Sequence, residues 1–174
     1  CPGAPGHNGT AHPLVEALGA IHGVGALSHC YWAPVSLRKR GDGTLAAIPH
    51  FHIDRAAPRV VAVDAQGLRF VNEATSHHLF AVEMQEAHAT AATIPAYLIT
   101  DADGMAKHGL GMVHPHGFGL SSALADGYIV SAPSLRALAD KLEIRAAPLT
   151  DSVMQFNSRW TDGMDTDGAH DAPA

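Results

Sequence analysis

Several features on which other protein classes depend are scarce in this sequence. Its two cysteines, Cys1 and Cys30, are too few for a disulfide framework or a cysteine metal site, and they fit a cytoplasmic location. Eleven Lys and Arg residues stand against 17 Asp and Glu, giving a net charge of −6. The basic run 38–40 is predicted to be an exposed loop, so the composition excludes nucleic acid as a partner. Apolar runs fall short of the about 20 residues of a membrane helix, so no membrane segment is predicted.

The composition provides enough apolar material for one core. The 174 residues are 47% apolar, which fits a single soluble domain. Strands predicted to pair as hairpins are mixed with helices of varied length, without a regular alternation of strand and helix. This pattern indicates an α+β domain.

The most informative stretch is Val63 to Glu73. A β-branched strand over 59–64 precedes a turn at Ala65 to Gly67, where glycine is free to take a positive φ. Residues 68–73 then alternate in character, which predicts the second strand of a hairpin. A helix is predicted next, capped by Thr75 or Ser76 and running to about His88.

This stretch resembles the "V-D-x-x-G-x-R-F-V-N-E" signature of a flavoprotein family. The family contains fumarate reductase, succinate dehydrogenase and 3-ketosteroid Δ1-dehydrogenase. Further segments resemble family segments in the same order, and one of them, 107–115, is typical of the steroid-dehydrogenase-like branch. These segments are 95–101, 107–115, 134–139, 149–157 and 163–167.

The resemblance implies an FAD enzyme and a particular domain organisation. No G-x-G-x-x-G turn of an FAD domain occurs, and only Asn8, Gly9 and Thr10, with the residues around them, resemble a cofactor-binding segment. We therefore expect residues 1–26 to be a remnant of the FAD-binding domain and 27–163 to be the capping domain. That domain should be a small mixed or antiparallel sheet with flanking helices, followed by a flexible tail over 164–174. Its partner would be the missing FAD domain, without which we expect the isolated chain neither to retain FAD nor to be active.

The resemblance also suggests catalytic positions in the cap. Fumarate reductases carry arginines where this chain has His77 and Met105, and methionine can neither transfer a proton nor clamp a dicarboxylate. The steroid-dehydrogenase-like branch usually has tyrosine at the position of His77, where imidazole could replace phenol as acid or base. Tyr97 and Tyr128 are further catalytic candidates. The substrate implied is a small hydrophobic ketone or steroid-like molecule.

Several readings of the remaining histidines and of the whole chain stay open. His114 and His116 are assigned to a substrate-side loop. The 13 histidines, among them the pair His50 and His52 on one predicted strand face, raise the possibility of a metal protein, although no metalloprotease spacing accompanies them and no residue is assigned as a metal ligand. Another alternative is an inert cap or partner-binding domain that self-associates through the apolar surface its FAD domain would cover.

Overall fold

The computed structural model describes residues 6, 8–21, 23 and 30–161. The chain divides into two compact units, Cys1–Tyr31 and Trp32–Ala174. The predicted tail over 164–174 lies outside the described residues. None of the helices in the described ranges is both long enough and apolar enough to cross a membrane.

The described elements combine helices with two small antiparallel sheets, which is an α+β arrangement. The helices are α1 His12–Glu16, α2 His52–Arg55, α3 His77–His88, α4 Ala102–His108, α5 Leu120–Ala125, α6 Leu135–Leu142 and α7 Ala146–Thr161, with a 3-10 turn at Pro115–Gly117. The strands are β1 Val35–Lys39, β2 Leu45–Pro49, β3 Val61–Val63 and β4 Tyr97–Ile99. β1 pairs with β2, from Val35 opposite Pro49 to Lys39 opposite Leu45, and β3 pairs with β4.

Three helices begin at side chains that accept a hydrogen bond from the first turn. Ser76 caps α3 through the Leu79 amide, Asp101 caps α4 through the Gly104 amide, and Ser134 caps α6. Such caps satisfy backbone N–H groups that have no partner inside the helix. The predicted helix from Thr75 or Ser76 to about His88 is therefore confirmed, with Ser76 as its cap.

β3 lies at the centre of the core because its two faces are covered by different helices. Val61 and Val63 pack with residues of α6 and α7, including Leu149, which is fully buried. Ala62 points to the opposite face and packs with Val71 and with Phe80 of α3. The alternation of side chains along a strand thus places α3 on one side of β3 and the α6–α7 pair on the other.

The predicted hairpin over 59–73 forms only at its turn. Asp64 N–H donates to the Leu68 carbonyl at 2.9 Å, and Val63 forms a single bridge to Arg69. The second strand predicted over 68–73 is wrong, because β3 pairs along its length with β4 instead. The other edge of β3 is satisfied by a side chain: the Ala62 amide donates to the Glu73 carboxylate at 2.8 Å.

Candidate functional site

The signature stretch serves mainly to build the centre of the fold. Asp64 Oδ1 accepts hydrogen bonds from the Gln66 and Leu68 amides and so closes the turn. Gly67 has φ of +82°, and a Cβ there would lie 2.9 Å from the carbonyl oxygen of Arg145, in the segment directly before α7. Glycine is therefore required both by the backbone conformation and by the close approach of that segment.

Glu73 and Arg69 form a buried ion pair beside β3. Arg69 Nη2 donates to Glu73 Oε2 at 2.7 Å, and only 9% and 5% of the two side chains are exposed. The Arg69 guanidinium also lies over the Phe156 ring of α7, 5.4 Å from its centroid. One carboxylate therefore neutralises a buried cation and replaces a strand at the free edge of β3. The signature marks a folding element as well as a family.

An apolar cleft of about 1510 Å³ runs along β4 within the unit Trp32–Ala174. Residues of β1, α3, α4, α5, α6 and α7 and of the segment 128–135 line it. Apolar residues and aromatics dominate the lining, among them Leu37, Leu98, Met105, Leu124, Leu135 and Phe156. Tyr97 and Tyr128 both line this cleft and are half-buried. The cleft thus brings two of the three predicted catalytic residues to one cavity.

Two arginines also line the cleft, and both are engaged by the protein. Arg55 is fully buried, and its guanidinium donates to the backbone carbonyls of Glu73 and Thr75 just before α3. Burial lowers the pKa of Arg55. Arg59 pairs with Asp101, the cap of α4. Partial burial opposes ionisation of Asp101, but hydrogen bonds from the Gly104 amide and Arg59 outweigh it and keep the pKa of Asp101 below its ordinary value.

Tyr128 ends a chain of side-chain hydrogen bonds that starts at Asp54. Asp54 Oδ2 lies 2.6 Å from His50 Nδ1, and His50 Nε2 lies 2.8 Å from Ser36 Oγ. Ser36 Oγ lies 2.7 Å from the Tyr128 hydroxyl oxygen. The β1–β2 hairpin makes this possible, since Ser36 is on β1 and His50 directly follows β2. Sequence reasoning missed Ser36 and Asp54, although the spacing of His50 and Asp54 by four residues was a usable signal.

The guanidinium group of Arg38 packs against the ring of Tyr128. Arg38 lies over the Tyr128 ring, 5.5 Å from the centroid, and donates to Asp126 and to Ser122. The hydrogen bond from Arg38 lowers the pKa of Asp126. Arg38 belongs to β1, so the basic run predicted as a loop is partly strand. Its role here is to fix the segment that carries Tyr128.

His77 is the first residue of α3 and stands apart from the cleft. Its half-buried ring meets the Phe51 ring edge-on at 5.1 Å, and it is not among the described residues that line the cleft. Neighbouring His78 is the buried member of the pair, and its Nδ1 accepts a hydrogen bond from the Trp32 amide at 3.1 Å. Arg55 donates to the carbonyls of Glu73 and Thr75, and these contacts hold the segment that leads into α3 at His77.

His114 and His116 lie on an exposed loop that follows α4. His114 is 6.1 Å from the ring of Phe118, which is 76% exposed. The loop is held at its base by Gly109, where a Cβ would lie 2.2 Å from the Val113 carbonyl oxygen. Among the residues described, no three His, Cys, Asp or Glu side chains lie close enough together to hold a metal ion.

Comparison with known proteins then assigns the family. The sequence profile of the FAD binding domain family matches residues 1–174. The chain belongs to this family. Among curated relatives, the 4-oxocyclohex-2-ene-1-carboxylate 5-dehydrogenase of Sinomonas cyclohexanicum is 34% identical over 87% of this chain. The 3-oxosteroid 1-dehydrogenase of Mycobacterium tuberculosis (strain H37Rv) is 28% identical over 95% of it.

A solved structure agrees with these sequence matches. The crystal structure of 3-ketosteroid delta1-dehydrogenase from Sterolibacterium denitrificans, in complex with 1,4-androstadiene-3,17-dione, matches 93% of this chain with a TM-score of 0.68 and 27% identity. The chain covers 28% of that structure, and 26% and 29% of the two curated relatives. It therefore spans under a third of the length of the proteins that it matches.

FAD is the cofactor of the FAD binding domain family, and the residues described here do not by themselves complete a site for it. Asn8, Gly9 and Thr10 form a turn in which Asn8 Oδ1 accepts a hydrogen bond from the Thr10 amide at 3.3 Å. Gly9 takes a positive φ of +80°, and its carbonyl accepts from the His12 amide. The α1 helix that follows has five residues and no side-chain cap. This short turn lacks the glycine-rich loop and long helix that cradle a dinucleotide phosphate.

Proposed function

We propose that this chain is the substrate-capping domain of an FAD-dependent oxidoreductase that acts on a C–C bond next to a carbonyl group. The observation that carries the proposal is the cleft along β4. Its volume of about 1510 Å³ exceeds the roughly 300–1,000 Å³ of ordinary small-molecule sites, and its lining is mostly apolar. A hydrophobic ketone, steroid-like or smaller, fits such a cavity.

The charges around the cleft favour a neutral substrate over a dicarboxylate. A dicarboxylate needs arginines that are available for bidentate contacts. Arg55 and Arg59 are already engaged by protein oxygens, and position 105 is a methionine within the apolar core. The names of the relatives support a cyclic ketone, since each describes one, and the ketone named for the Sinomonas enzyme carries a single carboxylate.

The residues divide into groups with distinct proposed roles. Tyr128 and Tyr97 present their side chains to the substrate in the cleft. His77, at the start of α3, is a second candidate for proton transfer, and it lies outside the cleft that Tyr97 and Tyr128 line. His114 and His116 form a loop on the substrate side. FAD supplies the redox chemistry of the family when bound. The rest of its site belongs to the FAD-binding domain. Residues 1–26 are a part of that domain, and residues 27–163 are its cap.

Flavin retention tests whether this chain needs the rest of the FAD-binding domain in order to bind FAD. The purified chain is incubated with excess FAD and passed through a gel-filtration column, and visible absorbance of the protein peak is measured. We expect no retained flavin, because Asn8 to Thr10 supply only a short turn. Stoichiometric flavin in the protein peak would overturn the assignment as a cap that depends on another domain.

Ketone binding tests the cleft, with two variants matched in exposure. Leu124 lines the cleft and is 40% exposed, whereas Leu79 lies on α3 and is 39% exposed. We expect 1,4-androstadiene-3,17-dione to bind in ligand-observed NMR, Leu124→Asp to weaken binding at least tenfold, and Leu79→Asp to leave it unchanged. Equal effects of the two variants would contradict the placement of the substrate.

A further inference from the structure

The hydrogen-bonded chain from Asp54 to Tyr128 has one consistent direction. The His50 and Asp54 side chains are only 9% and 20% exposed. Asp54 Oδ1 also accepts from the Arg55 amide at 2.9 Å, and Oδ2 accepts from the Gly111 amide at 3.3 Å. Both Asp54 oxygens therefore act as acceptors, so the remaining short contact of Asp54 is best made by an N–H group at His50 Nδ1.

That choice of tautomer fixes the rest of the chain. With the proton on Nδ1, His50 Nε2 is an acceptor, so the Ser36 hydroxyl donates to it. Ser36 Oγ is then free to accept from the Tyr128 hydroxyl. Each donated hydrogen therefore points away from the cleft and toward Asp54. The order of carboxylate, imidazole and hydroxyl is the one that activates the serine hydroxyl in serine hydrolases.

The loop at Gly111 packs closely against the network. Gly111 has φ of +59°, and a Cβ there would lie 2.2 Å from the Tyr128 hydroxyl and 3.3 Å from His50 Cε1. Glycine at this position lets the loop press the phenol against Ser36. The Arg38 guanidinium over the phenol ring would stabilise negative charge that develops on its oxygen.

We infer that Asp54, His50 and Ser36 form a proton relay, and that Tyr128 at its outlet is the catalytic base that removes a proton from the carbon next to the substrate carbonyl. This inference deepens the proposed function and rests on it. Ser36 and His50 also line the cleft, and in the relay Asp54, His50 and Ser36 act through Tyr128, which they position and deprotonate. The sequence did not indicate that these four residues act together.

The proton-transfer step balances without any oxidant. The C–H bond next to the carbonyl breaks, its proton passes to the Tyr128 oxygen, and its electron pair moves onto the ketone oxygen as an enolate. At the same time the Tyr128 proton passes to Ser36 Oγ, and the Ser36 proton passes to His50 Nε2. The result is an imidazolium next to the Asp54 carboxylate, and reversal of these transfers restores the starting state.

NMR of the chain tests the relay independently of any redox activity. Long-range 1H–15N spectra of the His50 ring should show the Nδ1–H tautomer, and Asp54→Asn should change it to Nε2–H because the anionic acceptor is lost. Tyr128→Phe should leave the tautomer unchanged. Finding Nε2–H in the unaltered protein would overturn the relay. The charged and titratable groups near His50 are Asp54, with Arg55 beyond it, and Tyr128, with Arg38 beyond it, so shifts are compared at one fixed pH.

Proton exchange of the bound ketone tests the chemistry. In D2O with a saturated cyclohexanone probe, deuterium should enter the carbon next to the carbonyl, an exchange that needs no flavin. Tyr128→Phe and Ser36→Ala should slow this exchange about 100-fold or more, and Ser36→Thr, which keeps the hydroxyl, should restore most of it. Exchange by Tyr128→Phe at the rate of the unaltered protein would overturn the assignment of the base.

The two proposals fail in different ways. If ketones do not bind to the cleft at all, the proposed function fails, and the His50 tautomer still decides whether the relay exists. If ketones bind and only the exchange is insensitive to Tyr128, the base assignment fails and the cap assignment stands. Circular dichroism and thermal unfolding of each variant verify that the fold is intact.

Discussion

Replacement of Glu73 by glutamine should cost a large share of the stability of the domain. Glu73 is 4% exposed, and its two oxygens accept from the Ala62 amide and from both Nε and Nη2 of Arg69. A glutamine amide keeps one acceptor oxygen but turns an NH2 group toward the guanidinium. The variant therefore retains the shape of the side chain and removes only its charge and one acceptor.

The magnitude follows from the burial of the pair. Removing one partner of a buried ion pair costs about 3–5 kcal/mol, because the remaining charge loses its neutralising group in a low dielectric. Arg69 would keep its contact with the Phe156 ring but not its carboxylate. A typical domain is stable by about 5–15 kcal/mol, so Glu73→Gln should leave a folded but much weakened protein.

Urea denaturation followed by circular dichroism measures this loss. The matched control is Glu86→Gln on the exposed side of α3, which should change the free energy of unfolding by no more than about 0.5 kcal/mol. The double variant Glu73→Gln with Arg69→Met should recover part of the lost stability, because both charges are then gone. A Glu73→Gln variant as stable as the Glu86→Gln control would refute the buried pair and its contact with β3.

Three further predictions address the turn, the acid sensitivity and the association of the chain. Gly67→Ala should destabilise by about 2–5 kcal/mol, through its positive φ and the contact with the Arg145 carbonyl, whereas Gly43→Ala, with an equally positive φ but open space around it, should cost only about 1–2 kcal/mol in thermal unfolding. The pKa values of Asp101 and Asp126 are lowered on folding, so both carboxylates stabilise the folded chain. Their contribution to stability is complete above the unfolded pKa of about 3.9 and is lost as the pH falls through the lower folded values. In the double Asn variant, the free energy of unfolding should therefore fall less steeply as the pH is lowered. Exposed apolar side chains such as that of Phe118 should make the chain self-associate in light scattering, and a clean monomer at high concentration would count against it.

Local signals in the sequence were enough to place several elements. Ser76 was recognised as a candidate helix cap because its hydroxyl needs only the next turn of backbone as a partner. The turn at Ala65 to Gly67 and the end of the helix at His88 are likewise confirmed. Each of these features depends on residues a few positions apart, which a single sequence records directly.

The pairing of β3 could not be read in the same way. Alternation over 68–73 is equally compatible with a second strand and with a loop that packs Val71 inward and returns the carboxylate of Glu73 to β3. The true partner, β4, lies more than 30 residues further along the chain. The choice between a local and a distant partner is made by packing against α3, α6 and α7, and periodicity does not contain it.

The hydrogen-bonded network around Tyr128 escaped sequence reasoning for a related reason. Ser36 and Tyr128 are 92 residues apart and meet only because the β1–β2 hairpin is folded against the loop at Gly111. Tyr128 itself was named only as a further catalytic candidate. His50 was considered only as a metal ligand beside His52, since a sequence shows the spacing of two histidines but not the hydroxyl that one of them meets.

The carboxylate on the edge of β3 also bears on the behaviour of the chain during refolding. A strand edge with open amides is a template for pairing with extended segments of other molecules, and it is a common start of aggregation. Glu73 covers the Ala62 amide with a group that cannot extend a sheet, so the most β-branched segment of the chain is closed on that side once Arg69 and Glu73 meet. Replacement of Glu73 by alanine, which uncovers the Ala62 amide, should therefore give more aggregate on refolding than the unaltered protein gives.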